Sequence, residues 1–276
     1  MIRAFVVGHP IAHSRSPLIH GHWLAAHGIA GSYERIDVAP EDFSDFLRGL
    51  RGSGLAGGNV TIPHKEAAFA LADTLTPRAE RIGAVNTLVV GRDGRLHGDN
   101  TDAPGFCAHL DQSLGGGWPA RGGAVVLGAG GAARAIVVGL AERGVSRIRV
   151  ANRTPGRAEA VAALAPGVAE PLDWADLPEA LAGAGLLVNT TSLGMKGQPP
   201  LTLDLAPLPA GAAVADIVYA PLETDLLAAA RARGLAAVDG LGMLLHQAVP
   251  GFEAWFGVRP EVTAALRDTI VADLRP

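Results

Sequence analysis

Short apolar segments alternate with longer segments of helical periodicity along most of this 276-residue chain. Such alternation predicts an α/β protein in which helices join the strands of a parallel sheet. The first series of strands is expected at residues 4–8, 32–38 and 55–60, with helices at residues 17–27 and 41–50. Pro63 is expected at the first position of the next helix, where proline is favoured.

A hairpin and a second strand–helix series follow. Residues 85–90 and 96–98 predict the hairpin, because Arg92-Asp93-Gly94 separates two apolar runs. In the second series, strands are expected at residues 124–127, 147–151, 186–189, 213–219 and 235–238, and a helix is expected at 131–142. The chain after Gly240 is expected to be helical, with an interruption near Pro250 and Gly251. The length exceeds the usual size of one core. We therefore expect two α/β domains facing each other across a cleft, one of residues 1–103 plus 241–276 and one of residues 104–240.

The composition excludes several classes of protein. With 49% hydrophobic and 18% charged residues, the chain is typical of globular proteins. A formal net charge of −4 gives no broad basic surface for nucleic acid, and no apolar run approaches the ~18 residues of a membrane span. The single cysteine, Cys107, excludes a disulfide within one chain. We expect a cytoplasmic monomer or homodimer that binds a small molecule, with no nucleic-acid or membrane partner.

A glycine-rich segment lies between the strand expected at 124–127 and the helix expected at 131–142. There Gly128, Gly130 and Ala133 fill the pattern G-x-G-x-x-A. The first glycine allows a tight turn, the second lets a pyrophosphate approach the backbone, and the alanine lets helix and strand pack closely. The pattern predicts a Rossmann-type doubly wound parallel sheet in residues 104–240. Its phosphate-binding residues would be Gly128, Ala129, Gly130, Gly131 and Ala132.

The residues after the strand at 147–151 indicate which dinucleotide is bound. An NAD site usually has an acidic residue there that binds the ribose 2′-hydroxyl. Here Asn152, Arg153 and Thr154 follow the strand, and Arg157 is close by. A carboxylate would repel a 2′-phosphate, whereas a guanidinium pairs with it at two points. The sequence therefore favours NADP over NAD.

Lysine is rare in this chain, and one lysine lies at the end of an expected strand. Lys65 and Lys196 are the only lysines among 23 lysine and arginine residues. Arginine stays protonated, whereas a lysine ammonium can give up its proton. Other polar residues collect at expected strand ends, namely Ser14, Ser16, Asn59, Thr61, Asn86, Asn100, Thr101, Asp102 and Gln247. Hydroxyls and amides with one amine and one carboxylate would suit a small polyhydroxylated acid.

These motifs resemble those of the shikimate dehydrogenase family, in order and nearly end to end. They are P-I-x-H-S-x-S-P, G-x-N-V-T-x-P-x-K, G-A-V-N-T, N-T-D-x-x-G, G-A-G-G-A-A-R-A, N-R-T and G-x-x-M-L-x-x-Q. Several motifs in one order are far more specific than any one of them. The resemblance implies reversible, NADPH-dependent reduction of 3-dehydroshikimate to shikimate.

The resemblance also implies a role for each matching residue. Lys65 would be the general acid for reduction and the base for oxidation, with Asp102 completing the catalytic pair. Ser14 and Ser16 would hold the substrate carboxylate. The remaining substrate contacts implied are Asn59, Thr61, Asn86, Thr101, Tyr219 and Gln247. The implied cofactor contacts, beyond the glycine turn, are Asn152, Arg153, Thr154, Arg157, Thr190, Gly240 and Met243.

Two other functions remain open from the sequence. A quinate/shikimate dehydrogenase, or a relative acting on an amino analogue, would keep the pair Lys65 and Asp102. An NADP(H)-sensing module without activity would keep the glycine turn but would not need that pair. A panel of substrates and cofactors separates these alternatives.

Several histidines and the cysteine could in principle serve as an acid, as metal ligands or as a nucleophile. His64 is a second candidate acid, although consecutive helical residues point in different directions. His13, His20 and His22 lack the nearby carboxylate or cysteine that would complete a metal site, so no metal is expected. Cys107 is expected to be a small buried residue rather than a nucleophile.

Overall fold

A computed structural model describes residues 1–274, apart from the side chains at positions 120 and 121. It divides the chain into two compact units. Unit 1 contains Met1–Thr101 and Gln247–Asp273, and unit 2 contains Asp102–His246 and Leu274. Residues 275 and 276 of the expected first domain lie outside the described residues.

Unit 1 contains a six-stranded mixed sheet in the order β2-β1-β3-β5-β6-β4. Strand β1 is parallel to β2 and β3, whereas β5 is antiparallel to β3 and β6, which confirms the predicted hairpin. The elements are β1 (Ile2–Gly8), α1 (Ser16–Ala26), β2 (Gly31–Asp37), α2 (Phe43–Leu50), β3 (Gly57–Val60), α3 (Lys65–Leu71), β4 (Thr74–Leu75), α4 (Pro77–Ile82), β5 (Thr87–Val90) and β6 (Leu96–Asp99). Phe5, Val7, Phe43, Val60 and Leu88 lie in its core.

Unit 2 contains a six-stranded sheet in the order β12-β11-β10-β7-β8-β9, with every neighbouring pair parallel. The elements are α5 (Asp102–Leu114), β7 (Gly123–Leu127), α6 (Gly131–Glu142), β8 (Ile148–Ala151), α7 (Pro155–Ala162), β9 (Ala169–Leu172), α8 (Leu177–Ala182), β10 (Ala184–Asn189), β11 (Ala213–Asp216), α9 (Asp225–Ala232) and β12 (Ala236–Val238). Two further helices follow, α10 (Leu241–Phe256) and α11 (Ala264–Leu274), and their residues from Gln247 to Asp273 belong to unit 1. The order reverses between β7 and β10, as in a doubly wound sheet. The predicted fold class is confirmed.

Strand β7 shows why the sheet of unit 2 is covered on both faces. Val125 and Leu127 pack into one buried cluster, while Ala124 and Val126 pack into another. Alternate residues of a strand point to opposite faces. A strand apolar at every position therefore requires a hydrophobic layer on each side, which the flanking helices supply.

The start of α3 and the end of β11 differ from the expected boundaries. Pro63 does not begin α3, because the first helical bond joins the Ala68 amide to His64 O at 2.8 Å and the helix starts at Lys65. Strand β11 ends at Asp216 rather than at residue 219, because the Val218 amide donates to the Asp216 side chain at 3.0 Å.

The expected interruption near Pro250 is wrong. Helix α10 is continuous from Leu241 to Phe256, with Pro250 inside it. A proline in a helix removes one hydrogen bond and costs about 3 kcal/mol. Val249 and Phe252 on either side of it are buried, and burial of side chains of this size offsets that cost.

None of the helices in the described part of the chain combines the length and the hydropathy that crossing a membrane requires.

Candidate active site

The loop between β1 and α1 carries Ser14 and leads into Ser16. Arg35 on β2 donates from Nε and Nη2 to Ser14 O at 2.9 and 2.6 Å. The Ser16 amide donates to Ser14 Oγ at 3.3 Å. Asp37 accepts a hydrogen bond of 2.6 Å from His9 Nδ1, and this bond lowers the pKa of the Asp37 carboxyl below its usual value. Side chains of β2 therefore hold the loop that carries Ser14 and leads into Ser16.

Thr61 and Lys65 follow the end of β3. The Thr61 amide donates to Val7 O at 2.9 Å, which joins this turn to the end of β1. A Cβ at Gly8 would lie 2.6 Å from Thr61 Cγ2, so the close approach of the two strand ends requires a glycine. Lys65 is half-buried at the start of α3, and its carbonyl accepts the Val85 amide at 2.9 Å.

The side chain of His64, the other candidate acid, packs and hydrogen-bonds within unit 1. Its ring is buried and stacks on Phe43, with ring centroids 4.2 Å apart. His64 Nε2 lies 2.7 Å from Val38 O and must donate to it, because a carbonyl only accepts. These contacts support a structural role for His64 and leave Lys65 as the better candidate for proton transfer.

A buried hydrogen-bond network joins the amide side chains predicted to bind substrate. Asn59 Nδ2 donates to Asn86 O at 3.2 Å and to Thr87 Oγ1 at 3.3 Å. Asn86 Oδ1 accepts from Thr87 Oγ1 at 2.9 Å and from the Thr101 amide at 2.8 Å. Asn86 Nδ2 lies 3.4 Å from Gln247 Oε1. Four residues predicted from motifs far apart in the chain therefore lie in one network within unit 1.

Two members of this network were not predicted from the sequence. Thr87 bonds both asparagines, and Tyr33 Oη donates to Asn59 Oδ1 at 2.6 Å. Thr87 lies in the G-A-V-N-T motif and could have been found there. Tyr33 lies in no motif, and its only signal is rarity, since the chain has two tyrosines.

The glycine turn of unit 2 has the geometry expected of a phosphate-binding turn. Gly128 has φ +103°, a conformation that favours glycine, and a Cβ there would lie 2.7 Å from Thr190 Oγ1. A Cβ at Gly130 or Gly131 would meet no described atom within 4 Å, so space is open beside the start of α6. Ala133 is fully buried, which permits close packing of α6 on the sheet. These observations fit a dinucleotide pyrophosphate at this helix N-terminus.

Thr190 reaches the same point from the neighbouring strand. Its hydroxyl donates to Leu127 O at 2.7 Å, and its amide donates to the same oxygen at 2.8 Å. Strands β7 and β10 are the pair at which the strand order reverses, and ligands of doubly wound sheets bind at the carboxyl ends of such strands. The structure therefore brings together Gly128 and Thr190, which lie far apart in the sequence.

The segment after β8 presents two exposed guanidinium groups. Asn152 Nδ2 donates to Thr154 O at 3.0 Å and shapes the turn before α7. Arg153 and Arg157 are exposed, and among residues 1–274 neither has a carboxylate partner. Many other arginines of the chain are ion-paired, for example Arg78 with Asp99 and Arg147 with Glu170. Unpaired arginines at this point fit a 2′-phosphate.

Three other predicted residues of unit 2 follow its last two strands, and Asp102 lies at the start of α5. Tyr219 is half-buried and follows β11, while Met243 is almost buried in α10. A Cβ at Gly240 would lie 2.2 Å from Ile217 O, so this approach requires glycine. Asp102 is buried at the first position of α5.

Alternative chemistry at other residues is not supported. No group of three or more His, Cys, Asp or Glu within the described residues could hold a metal ion. Burial raises the pKa of the Cys107 thiol to about 12, so this cysteine is not a reactive thiolate.

The predicted residues divide cleanly between the units. Unit 1 holds Ser14, Ser16, Asn59, Thr61, Lys65, Asn86, Thr101 and Gln247, and unit 2 holds Asp102, Tyr219 and every predicted cofactor contact. A doubly wound sheet with this glycine turn defines a dinucleotide-binding α/β protein. The hydroxyls, amides and lysine of unit 1 add the groups of a polar small-molecule site.

Comparison with known proteins identifies the family. Residues 6–88 match the model described as shikimate dehydrogenase substrate binding domain, residues 120–195 match shikimate / quinate 5-dehydrogenase, and residues 240–267 match shikimate 5′-dehydrogenase C-terminal domain. The chain is 81% identical over 274 residues to shikimate dehydrogenase (NADP(+)) of Methylobacterium radiotolerans, covering 99% of this chain and 97% of the relative.

Solved structures of known function have the same fold. Shikimate 5-dehydrogenase from Thermus thermophilus, in complex with NADP(H) and shikimate, has a TM-score of 0.88 and 41% identity, with full coverage of both chains. Quinate dehydrogenase from Corynebacterium glutamicum, in complex with NAD, has a TM-score of 0.90 and 33% identity, covering 98% of this chain and 99% of that one. This chain belongs to the shikimate dehydrogenase family, as its motifs indicated.

Proposed function

We propose that this chain catalyses the reversible reduction of 3-dehydroshikimate to shikimate with NADPH. The observation that carries the proposal is the buried network that joins Asn59, Asn86 and Gln247 in the same unit as Lys65. Such a network presents amide groups in set directions, as recognition of several ring hydroxyls requires. The naming of close relatives as shikimate dehydrogenase (NADP(+)) supports the same substrate and cofactor.

The chemistry requires a hydride at the ketone carbon and a proton at the ketone oxygen. Bound NADPH would supply the hydride. We propose that the Lys65 ammonium gives the proton to the oxygen in reduction and that the amine takes it back in oxidation. Asp102 is proposed as the carboxylate that completes the pair. Addition of the hydride to the carbonyl carbon and of the proton to its oxygen converts the ketone to the alcohol.

Recognition of the substrate carboxylate is proposed for Ser14 and Ser16. A hydroxyl donates one hydrogen bond to a carboxylate, and two hydroxyls close together can bind both of its oxygens. Arg35 supports this role indirectly, because its two hydrogen bonds to Ser14 O hold the loop in place. Thr61, Thr101 and Tyr219 are proposed as further contacts with the substrate.

The cofactor is proposed to bind to unit 2. Its pyrophosphate would meet Gly128, Ala129, Gly130, Gly131 and Ala132. Its 2′-phosphate would meet Asn152, Arg153, Thr154 and Arg157, and its nicotinamide would lie near Thr190, Gly240 and Met243. The open space beside Gly130 and Gly131 and the unpaired guanidinium groups support this placement.

A quinate dehydrogenase is the second candidate, because one structure of that activity has a TM-score of 0.90. The residues after β8 argue against an NAD-linked enzyme, since Asn152-Arg153-Thr154 contains no carboxylate for the ribose hydroxyls. We also propose a cytoplasmic monomer or homodimer, whose assembly light scattering coupled to size-exclusion chromatography would measure.

The test is a panel of shikimate and quinate, each with NADP⁺ and NAD⁺, followed by nicotinamide absorbance. We expect the highest kcat/KM with shikimate and NADP⁺. A higher kcat/KM with quinate and NAD⁺ would establish the second candidate. Absence of turnover in all four combinations, with NADP⁺ binding intact by calorimetry, would show a sensing module instead of an enzyme.

A further inference from the structure

We propose that Tyr33 is a positioning residue of the substrate site, whose hydroxyl donates to Asn59 Oδ1 and holds the Asn59 amide in one orientation. The inference rests on the proposed function, because Asn59 is proposed to bind the substrate. Tyr33 itself lies buried on β2, with 8% of its surface exposed. It would therefore act through its neighbours.

The orientation of the Asn59 amide follows from its partners. Nδ2 lies 3.2 Å from Asn86 O, and this carbonyl can only accept a hydrogen bond. The amide nitrogen must therefore face that carbonyl, which turns Oδ1 towards Tyr33. Because Oδ1 has no hydrogen, Tyr33 Oη must be the donor in the 2.6 Å bond between them. Reversal of the amide would place Oδ1 against the Asn86 carbonyl, so the orientation is unique.

The surroundings of Tyr33 keep its ring in place and its hydroxyl protonated. His20 stacks on it, with ring centroids 3.9 Å apart and an interplanar angle of 11°. Trp255 also contacts the Tyr33 ring, at 5.9 Å between centroids. Burial raises the pKa of the Tyr33 hydroxyl well above its usual value and lowers the pKa of His20 to about 3, so both side chains are neutral near pH 7. A neutral phenol in a rigid aromatic cluster is a constant hydrogen-bond donor.

The test is Tyr33→Phe, which keeps the ring and its stacking and removes only the hydroxyl. Loss of one hydrogen bond that orients a binding group predicts that KM for shikimate rises about 3- to 10-fold. We expect kcat to change less than KM and KM for NADP⁺ to stay the same. An unchanged KM for shikimate would overturn the inference.

Trp23→Phe is the matched control. Trp23 belongs to the same aromatic cluster, 5.7 Å from His20 between ring centroids, and its Nε1 donates to Glu261 O at 3.0 Å. The variant therefore also loses a buried donor, but the Trp23 donor bonds Glu261 and not Asn59. Thermal unfolding of both variants should show comparable destabilisation. A rise in KM for shikimate in Trp23→Phe as large as in Tyr33→Phe would assign the effect to packing and overturn the inference.

A double-mutant cycle shows whether Tyr33 acts through Asn59. In an Asn59→Ala background, Tyr33→Phe should raise KM for shikimate less than twofold, because the amide it orients is gone. If Tyr33→Phe raised KM for shikimate by the same factor in both backgrounds, the inference would be overturned. Failure of the proposed function is separately visible, since the wild-type protein would then not oxidise shikimate.

Discussion

Asn189 donates a hydrogen bond from Nδ2 to Oδ1 of Asp216 at 2.9 Å, and these two residues end the neighbouring strands β10 and β11. Asp216 also accepts from the Val218 amide at 3.0 Å and from Thr224 Oγ1 at 2.8 Å. Asn189 Oδ1 in turn accepts from Thr191 Oγ1 at 2.7 Å. One buried carboxylate thus organises the loops that carry two predicted site positions, one after each strand.

Replacement of Asp216 by alanine should destabilise unit 2. Three donors, on Asn189, Val218 and Thr224, would lose their acceptor, and each buried unsatisfied group costs about 1–3 kcal/mol, so we expect a loss of about 3 kcal/mol or more in the free energy of unfolding. Urea denaturation followed by far-UV circular dichroism measures it. Thr224→Ser keeps the hydroxyl and should lose less than about 1 kcal/mol. Equal urea midpoints for the two variants would refute this account.

The two lysines of the chain provide a matched test of proton transfer. Lys65→Met keeps the length of the side chain and removes the amine, so we expect kcat for shikimate oxidation to fall by about 2–4 orders of magnitude. Lys196→Met should keep wild-type kcat, because Lys196 lies in an exposed loop after β10. Initial rates at saturating shikimate and NADP⁺ measure both. Near-normal turnover in Lys65→Met would exclude its role as the general acid.

Arg153 should set the preference for NADP over NAD. A charge-assisted hydrogen bond contributes about 1.5–3 kcal/mol, so Arg153→Ala should lower kcat/KM for NADP⁺ by about tenfold or more and leave kcat/KM for NAD⁺ within about twofold. Arg92→Ala, in the exposed turn between β5 and β6, removes the same charge elsewhere and should change neither value. Equal losses with both cofactors in Arg153→Ala would argue against a 2′-phosphate contact.

His20 should make the protein less stable in acid. Burial lowers its pKa to about 3, from about 6.5 in an unfolded chain. Between these values the unfolded chain binds a proton that the folded chain does not, so this contribution to stability is complete above pH 6.5 and is lost as pH falls towards 3. The slope for one such histidine is about 1.4 kcal/mol per pH unit. Burial also lowers the pKa of His246, to about 4. Both histidines therefore contribute to the loss of stability as pH falls below about 6.5.

Substitution separates the two contributions. His20→Phe retains an aromatic ring against Tyr33 and should shrink the stability difference between pH 7 and pH 5 by about 2 kcal/mol relative to wild type. His13→Gln, at an exposed position, should leave that difference unchanged. Urea denaturation at both pH values provides the measurement. The same pH dependence in His20→Phe and wild type would contradict the assignment.

Local patterns explain why most strands and helices could be predicted. Helix α6 was expected at residues 131–142 and begins and ends there, because a glycine turn precedes it and Gly144 follows it. The errors at Pro63 and Pro250 have one cause. Proline indicates a local preference, but the surrounding turn or the burial of its neighbours decides whether a helix starts or continues.

The sequence alone determined the fold class, the glycine turn and the side chains that each motif offers, because each depends on residues that lie within one segment. The arginines after β8 and the lysine after β3 are examples. Only the tertiary structure decided which of these groups meet. Asn86 and Gln247 lie 161 residues apart and Tyr33 and Asn59 lie 26 apart, yet each pair is hydrogen-bonded. Such contacts depend on strand order and on packing between distant segments, and these are not local properties of a chain.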